Sequence, residues 1–159
     1  MAERTCRGLR THAVPTAIAP GRIRRILRAL ATPRVQLPKT AWLVEGLLQY
    51  LDAPAVGTLF ARVDALSAPG DVLLYNVIGQ TLLQAPFLQS TRQFIRRLGA
   101  PWTFGTDAPA ALVERHGWSA VVTDVAEPGS RWHRWEHPVV PLDVPGMPRG
   151  YFVVATKSS

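Results

Sequence analysis

The sequence predicts an α/β fold in which parallel strands alternate with helices and the chain closes on an antiparallel strand pair. Three observations carry that reading. Ala41-Trp42-Leu43-Val44 and the stretch 72–78 (VLLYNVI) are short continuous apolar runs, the pattern of strands buried in a parallel sheet. Apolar residues recur at helical spacing between and after them. The final third holds two further apolar runs, 118–125 (WSAVVTDV) and 151–157 (YFVVATK), joined by a segment rich in turn residues.

Taken in order, Thr40 to Glu45 reads as the first strand, covered on both faces. Asp52 can accept the orphan N–H groups of a following helix, and Pro54 falls in its first turn, where no donor is missed. Val56, Leu59, Phe60, Val63 and Leu66 then form one buried helix face, and the stretch 67–70 ends it. The second strand, 72–78, is followed by a helix from Pro86 to Leu98. Its apolar side carries Phe87, Thr91, Phe94, Ile95 and Leu98, with Arg92, Arg96 and Arg97 outward and Gly99 as the stop. Asp107 and Pro109 repeat the Asp-Ala-Pro helix start, Leu112, Val113 and His116 make a short apolar stripe, and Gly117 ends it. The segment 127–150 contains five prolines and reads as a loop-rich excursion, leaving the last two strands as an antiparallel or edge pair. Strand, helix, strand, helix is the grammar of βαβ units.

A chain of 159 residues with 47% hydrophobic content and five Trp has the size and composition of one globular domain. No apolar run approaches the ~20 residues that span a bilayer, so no membrane partner is expected. The lone Cys6 makes no internal disulfide and fits a reducing compartment, with the cytoplasm as the expected location. The net charge of +7 is unevenly distributed. Residues 1 to 40 hold nine Lys or Arg and one acid, Glu3, whereas residues 41 to 159 hold nine basic and ten acidic residues. A near-neutral body lacks the basic face that phosphate contacts demand, so no nucleic-acid partner is expected.

The division at residue 37 separates a basic leader, 1–37, from the globular portion, 38–159. In the leader, Ile23, Ile26, Leu27 and Leu30 share a helical face flanked by Arg22, Arg24, Arg25 and Arg28. Such a stretch suits an anionic surface or an organelle-targeting peptide. Its Arg, Ala, Pro and Gly content also matches out-of-frame translation of GC-rich DNA, and the charge contrast with the body favours that origin.

The blocks "TAWLVEGLLQYL", "SAPGDVLLYNV", "FGTDAPAALVERHGW" and the terminal "YFVVATK" occur in an order that resembles the bacterial S-adenosylmethionine-dependent methyltransferases of the leucine carboxyl methyltransferase family, polyketide O-methyltransferases included. The resemblance covers roughly residues 38 to 157. It implies the C-terminal half of a Rossmann-like class I methyltransferase sheet, with "TAWLVEG" as strand four, "VLLYNVI" as strand five and the last two runs as a final hairpin. It also implies S-adenosyl-L-methionine as cofactor and a small-molecule acceptor, methylated at a carboxylate or hydroxyl oxygen. Glu45 and Gly46, at the tip of the strand-four match, correspond to donor-binding positions. Tyr50 is the corresponding candidate for the acceptor pocket, and the Trp-rich segment around Trp132 and Trp135 for a lid over it.

The sequence also departs from that pattern. Enzymes of this kind cradle the donor with a glycine-rich turn after the first strand and hold its ribose with an acid after the second. No GxGxG occurs in the 159 residues. The expectation is therefore of a chain that starts about halfway through the domain, exposing a sheet edge and an apolar face. Two roles follow: a methyltransferase with an incomplete donor site, or a non-catalytic remnant or interaction subunit that self-associates through the exposed sheet edge.

Other patterns are weaker. His133 and His137 stand four apart around Glu136, but Pro138 follows at once and no third ligand is evident, so no metal is expected. Thr106 and Asp107 read as helix caps, and His116 as a helix-end residue. No nucleophile-elbow motif presents a serine for hydrolysis.

Overall fold

The structure, a computed structural model, describes residues 39–159. The leader expected at 1–37 lies outside the described residues. Within them, four strands form one sheet: β1 (Ala41–Val44), β2 (Val72–Ile78), β3 (Trp118–Asp124) and β4 (Gly150–Lys157), in the order β1-β2-β4-β3. β1 and β2 are parallel, and β4 runs antiparallel to both β2 and β3. The last two strands thus pair as expected, but β4 is central and, of the two, β3 alone lies at an edge.

The helix after β1 forms for the reasons its sequence gives. Asp52 accepts a hydrogen bond from the Ala55 N–H at 2.8 Å, Pro54 lies in the first turn, and α1 runs from Ala53 to Ala65. Its buried face is Val56, Leu59, Phe60 and Val63, laid on the sheet residues Leu73, Tyr75, Val77, Val153 and Ala155. Phe60 and Tyr75 meet as tilted rings 5.1 Å apart, and the Tyr75 hydroxyl donates to the Pro109 carbonyl at 2.7 Å. That burial pushes the Tyr75 phenol well above its ordinary pKa, with a smaller upward contribution from the Glu114 charge.

Buried polar groups tie the elements together. Asp71 accepts from the Thr40 and Ala68 N–H groups, joining the start of β1 to the turn before β2. The Trp42 indole donates to Ser67 Oγ at 2.9 Å. Asp64 of α1 accepts from the Trp118 indole at 2.8 Å and from Lys157 Nζ, and Lys157 lies over the Trp118 ring. The first residue of β3 and the last of β4 are thereby fastened to one helix.

Several short elements depart from the sequence reading. α2 (Gln80–Gln84) and a 3-10 turn (Pro86–Leu88) precede α3 (Gln89–Arg97), where one continuous helix was expected. Gly99, with φ +77°, stops α3 as expected, yet Phe87, Phe94 and Leu98 are exposed rather than packed. α4 is short (Ala111–Glu114), with Val113 buried and Gly117 at φ +75°. The excursion after β3 opens with α5 (Ala126–Arg131), which tolerates Pro128 because its missing N–H falls in the first turn.

The largest departure concerns the second face of the sheet. β1 and β2 were read as covered on both sides, but among the described residues the core helix α1 packs against one side, opposite the row below. Leu43, Leu74, Val154 and Val121 are opposite one another in register across all four strands, and their exposures are 70, 37, 45 and 66%. Phe152 beside them is 45% exposed. The exposed apolar face and sheet edge expected from the sequence are therefore present among the described residues, the edge at β1.

Asp64 supplies a pH test of this packing. Burial raises its pKa, but the hydrogen bonds from Lys157 and Trp118 and the nearby positive charges outweigh it, leaving the value below 3.8. A depressed folded-state value stabilises the fold above the unfolded value, and that contribution disappears as pH falls through the folded one. Urea unfolding should therefore show stability falling as pH drops below 3.8. In Asp64→Asn that acid limb should flatten, with lower stability at neutral pH.

Candidate functional site

In an open α/β sheet, ligands bind beyond the carboxyl ends of the parallel strands. Here the ends of β1, β2 and β3 lie on one side of the sheet, since β3 is antiparallel to β4 and hence parallel to β1. Side chains and loops at that edge are the candidate site.

At the tip of β1 the chain turns sharply through Gly46, whose φ of +61° favours glycine. A Cβ there would meet nothing within 4 Å, so the space beside Gly46 is open. The Gly46 N–H donates to Asn76 Oδ1 on the neighbouring strand at 2.8 Å, and Glu45 is exposed beside it. Asn76 was not singled out from the sequence, where it looks like one polar residue in an apolar strand. The signal that could have found it was that interruption in "VLLYNVI", on the face opposite Leu73, Tyr75 and Val77.

The end of β2 is tightly woven. The Gly79 N–H donates to the Arg149 carbonyl at 2.8 Å. A Cβ on Gly79 would lie 2.6 Å from Asp107 Oδ1 and 2.8 Å from the Arg149 oxygen. Asp107 does cap a helix, but a different one from that expected. Its carboxylate accepts from the Thr81 N–H at 3.1 Å and the Thr81 hydroxyl at 2.8 Å, serving α2 rather than α4. Thr106 Oγ1 accepts from the Ala108 N–H at 3.1 Å, a local turn. Tyr151 is buried at this edge, and its phenol is raised first by burial and then by the Asp107 carboxylate, with Arg149 partly opposing.

At β3, buried Arg149 pairs with Asp124 at 2.5 Å and donates to the carbonyls of Val140, Pro141 and Val144. One guanidinium thus holds the proline-rich excursion against the sheet. Asp124 uses its other oxygen to accept from the Ala126 N–H at the start of α5.

The predicted site residues are distributed along this edge. Glu45 and Gly46 are adjacent to Asn76, and Tyr50 is half-buried in the 3-10 turn Leu48–Tyr50 that follows. Trp132 and Trp135 come after β3, the strand that lies three spacings, roughly 14 Å, from β1. Trp132 is exposed and lines an open hollow of about 410 Å³ with Val125, Pro128, Gly129, Arg134 and Phe152. Trp135 packs toward Gly129 and meets His137 edge to face. His133 lies beyond the end of α5 with φ 55°, so His133 and His137 do not share a helical face. No group of three or more metal-ligating side chains occurs among the described residues. No helix among them is long and apolar enough to cross a membrane.

No family model matches the sequence. Among curated relatives, a Mycobacterium tuberculosis protein named "Putative S-adenosyl-L-methionine-dependent methyltransferase" is 38% identical over 93 residues, covering 58% of this chain and 25% of that protein. Proteins of the same name from Mycobacterium ulcerans and Frankia alni are 32% and 33% identical, covering 73% and 68% of this chain and 41% and 37% of their own lengths. The chain thus spans about a quarter to two-fifths of these relatives. Among solved structures, a DUF574 family protein from Streptomyces avermitilis matches with a TM-score of 0.57 at 18% identity, over 85% of this chain and 52% of its own. An O-methyltransferase family protein from Burkholderia thailandensis matches with a TM-score of 0.53 at 14% identity, over 84% and 33%.

The two glycines at this edge give opposite expectations. Gly46→Ala meets only the left-handed backbone cost, about 1–2 kcal/mol, whereas Gly79→Ala must displace the Arg149 backbone and the Asp107 cap. Thermal unfolding should show the larger loss for Gly79→Ala. By sequence the chain is similar to part of proteins named putative S-adenosyl-L-methionine-dependent methyltransferases, and its fold is shared with the DUF574 family and O-methyltransferase family structures.

Proposed function

We propose that this chain contributes one wall of the active site of an S-adenosylmethionine-dependent O-methyltransferase acting on a small molecule, of the leucine carboxyl methyltransferase type. The observation that carries the reading is the tip of β1, where Asn76 fixes a left-handed Gly46 with open space beside it and an exposed carboxylate, Glu45, next in sequence. A sulfonium donor carries a positive sulfur and a positive amine, and its chemistry is an electrophilic methyl carbon. Glu45 would attract that positive charge, and the bare Gly46 backbone would allow close approach. Methyl transfer to oxygen asks the protein for in-line positioning and exclusion of water. Tyr50 and the apolar hollow beside Trp132, with Trp135 behind it, would bound the acceptor. Its lone cysteine suits a reducing compartment, and the reading places it in the cytoplasm.

A non-catalytic role, with self-association through the free edge of β1, is the second reading. Its support is the absence of a GxGxG turn from the sequence and the edge position of β1 among the described residues.

Ligand-detected NMR titration with S-adenosylmethionine separates the two. The first reading expects saturable binding, weak because one wall is present, on the order of 1 mM. Glu45→Gln should weaken it several-fold with an unchanged melting curve, since the side chain is exposed. A folded chain without binding would favour the second reading. A Glu45→Gln variant that melts early yet binds normally would make Glu45 structural.

A further inference from the structure

We propose that Asn76, Phe152 and Thr123, which share one rung of the open sheet face, form with Trp132 the subsite for the methyl acceptor, and that it takes a planar aromatic compound bearing a neutral hydroxyl rather than a carboxylate. The inference deepens the methyltransferase reading and rests on it, but it concerns the acceptor and not the donor contacts of Glu45.

The open face changes character along its strands. The rung of Leu43, Leu74, Val154 and Val121 is aliphatic from edge to edge. Two residues nearer the carboxyl ends of β2 and β3, Phe152 stands opposite Asn76 on one side and Thr123 on the other. Side chains directly opposite on one face lie about 5 Å apart, so an aromatic ring is flanked there by an amide and a hydroxyl. Phe152 also lines the hollow of about 410 Å³ that Trp132 and Arg134 share. Sites for small molecules run from roughly 300 to 1,000 Å³, and two aromatic side chains in one hollow suit a flat ring.

Asn76 supplies the polar contact. It is half-buried, and it accepts from the Gly46 N–H at 2.8 Å. Only the oxygen of an amide can accept from a backbone N–H, so this bond fixes which way the side chain is turned. Nδ2 is left on the arm turned away from Gly46, with no hydrogen-bond partner among the described residues. A ring lying over Phe152 with an oxygen toward β1 would receive that donor, beside the open space at Gly46.

Charge selects the kind of oxygen. Glu45 is exposed beside Asn76, and a carboxylate held at Nδ2 would meet a like charge, whereas a neutral hydroxyl would not. Arg134 on the wall of the hollow does not require an anion, because a planar guanidinium also stacks on aromatic faces.

The test is titration of the isotopically labelled full chain with 2-naphthol, 2-naphthoate and naphthalene at neutral pH, followed by two-dimensional NMR. The expected result is saturable shifts at the Asn76 side-chain amide and at the Phe152 and Gly129 backbone amides. 2-Naphthol should bind roughly fivefold more tightly than naphthalene, the effect of one hydrogen bond, and more tightly than 2-naphthoate. Asn76→Asp keeps an oxygen for the Gly46 N–H and removes the amide donor, so 2-naphthol should fall to the level of naphthalene while naphthalene is unaffected. Trp132→Ala, at a side chain 73% exposed, should weaken both neutral probes without moving the melting curve. Preference for 2-naphthoate would assign the hollow to an anion at Arg134 and overturn the proposal. So would equal binding of 2-naphthol and naphthalene, shifts that avoid Phe152, indifference to Asn76→Asp, or no binding of any probe. The donor is absent from these titrations, so a chain that binds 2-naphthol here yet ignores S-adenosylmethionine would keep the aromatic subsite and lose the methyltransferase reading.

Discussion

The rest of the structure depends on the in-register stacking of four strands whose side chains alternate between a covered and an open face. On the covered face, α1 seals Leu73, Tyr75, Val77, Val153 and Ala155 beneath Val56, Leu59, Phe60 and Val63. Because alternation has a period of two, the same register that builds this core fixes the opposite row of Leu43, Leu74, Val154 and Val121. One layer cannot be set without the other. The strength of the core and the exposure of its far side are therefore consequences of a single pairing pattern.

The carboxyl edge inherits its shape from the same pairing. Asn76 reaches Gly46 because β1 and β2 are parallel neighbours, and the close approach of Gly79 to Arg149 follows from β2 lying against β4. Arg149 carries this order outward. Its ion pair with Asp124 is buried, and its two terminal nitrogens also donate to carbonyls of the proline-rich excursion, so a charge that would be costly alone is paired and hydrogen-bonded. Turn, cap and excursion thus converge on one side of the sheet, where a ligand of an α/β fold belongs.

Much of this was legible in the sequence where the governing contacts are local. The Asp52 cap, Pro54 and the apolar spacing of α1 lie within one helix, and the strands announce themselves as continuous apolar runs. The block order that resembles methyltransferases also pointed to the right sheet. What was not legible depends on distant partners. Asp107 lies beside a local helix start, but its carboxylate serves Thr81, and Gly46 takes its N–H partner from Asn76 on another strand. Apolar continuity in β1 likewise suggested burial on two faces, since composition specifies what a strand can bury and not what is there to bury it. The same holds for Phe94 and Leu98 of α3, whose helical spacing is real and whose cover is absent among the described residues. Trp132 and Trp135 could be grouped with Glu45 by family position, whereas their separation along the edge emerges only from strand order.

The central claim is that the tip of β1, held by Asn76, is where this chain meets a sulfur-bearing donor. The most direct test is a two-dimensional NMR titration of isotopically labelled chain with S-adenosylhomocysteine. The account predicts shift changes concentrated at Glu45, Gly46 and Asn76, fading toward β3. Changes centred on Trp132 and His137 with an unmoved Gly46 amide would contradict it.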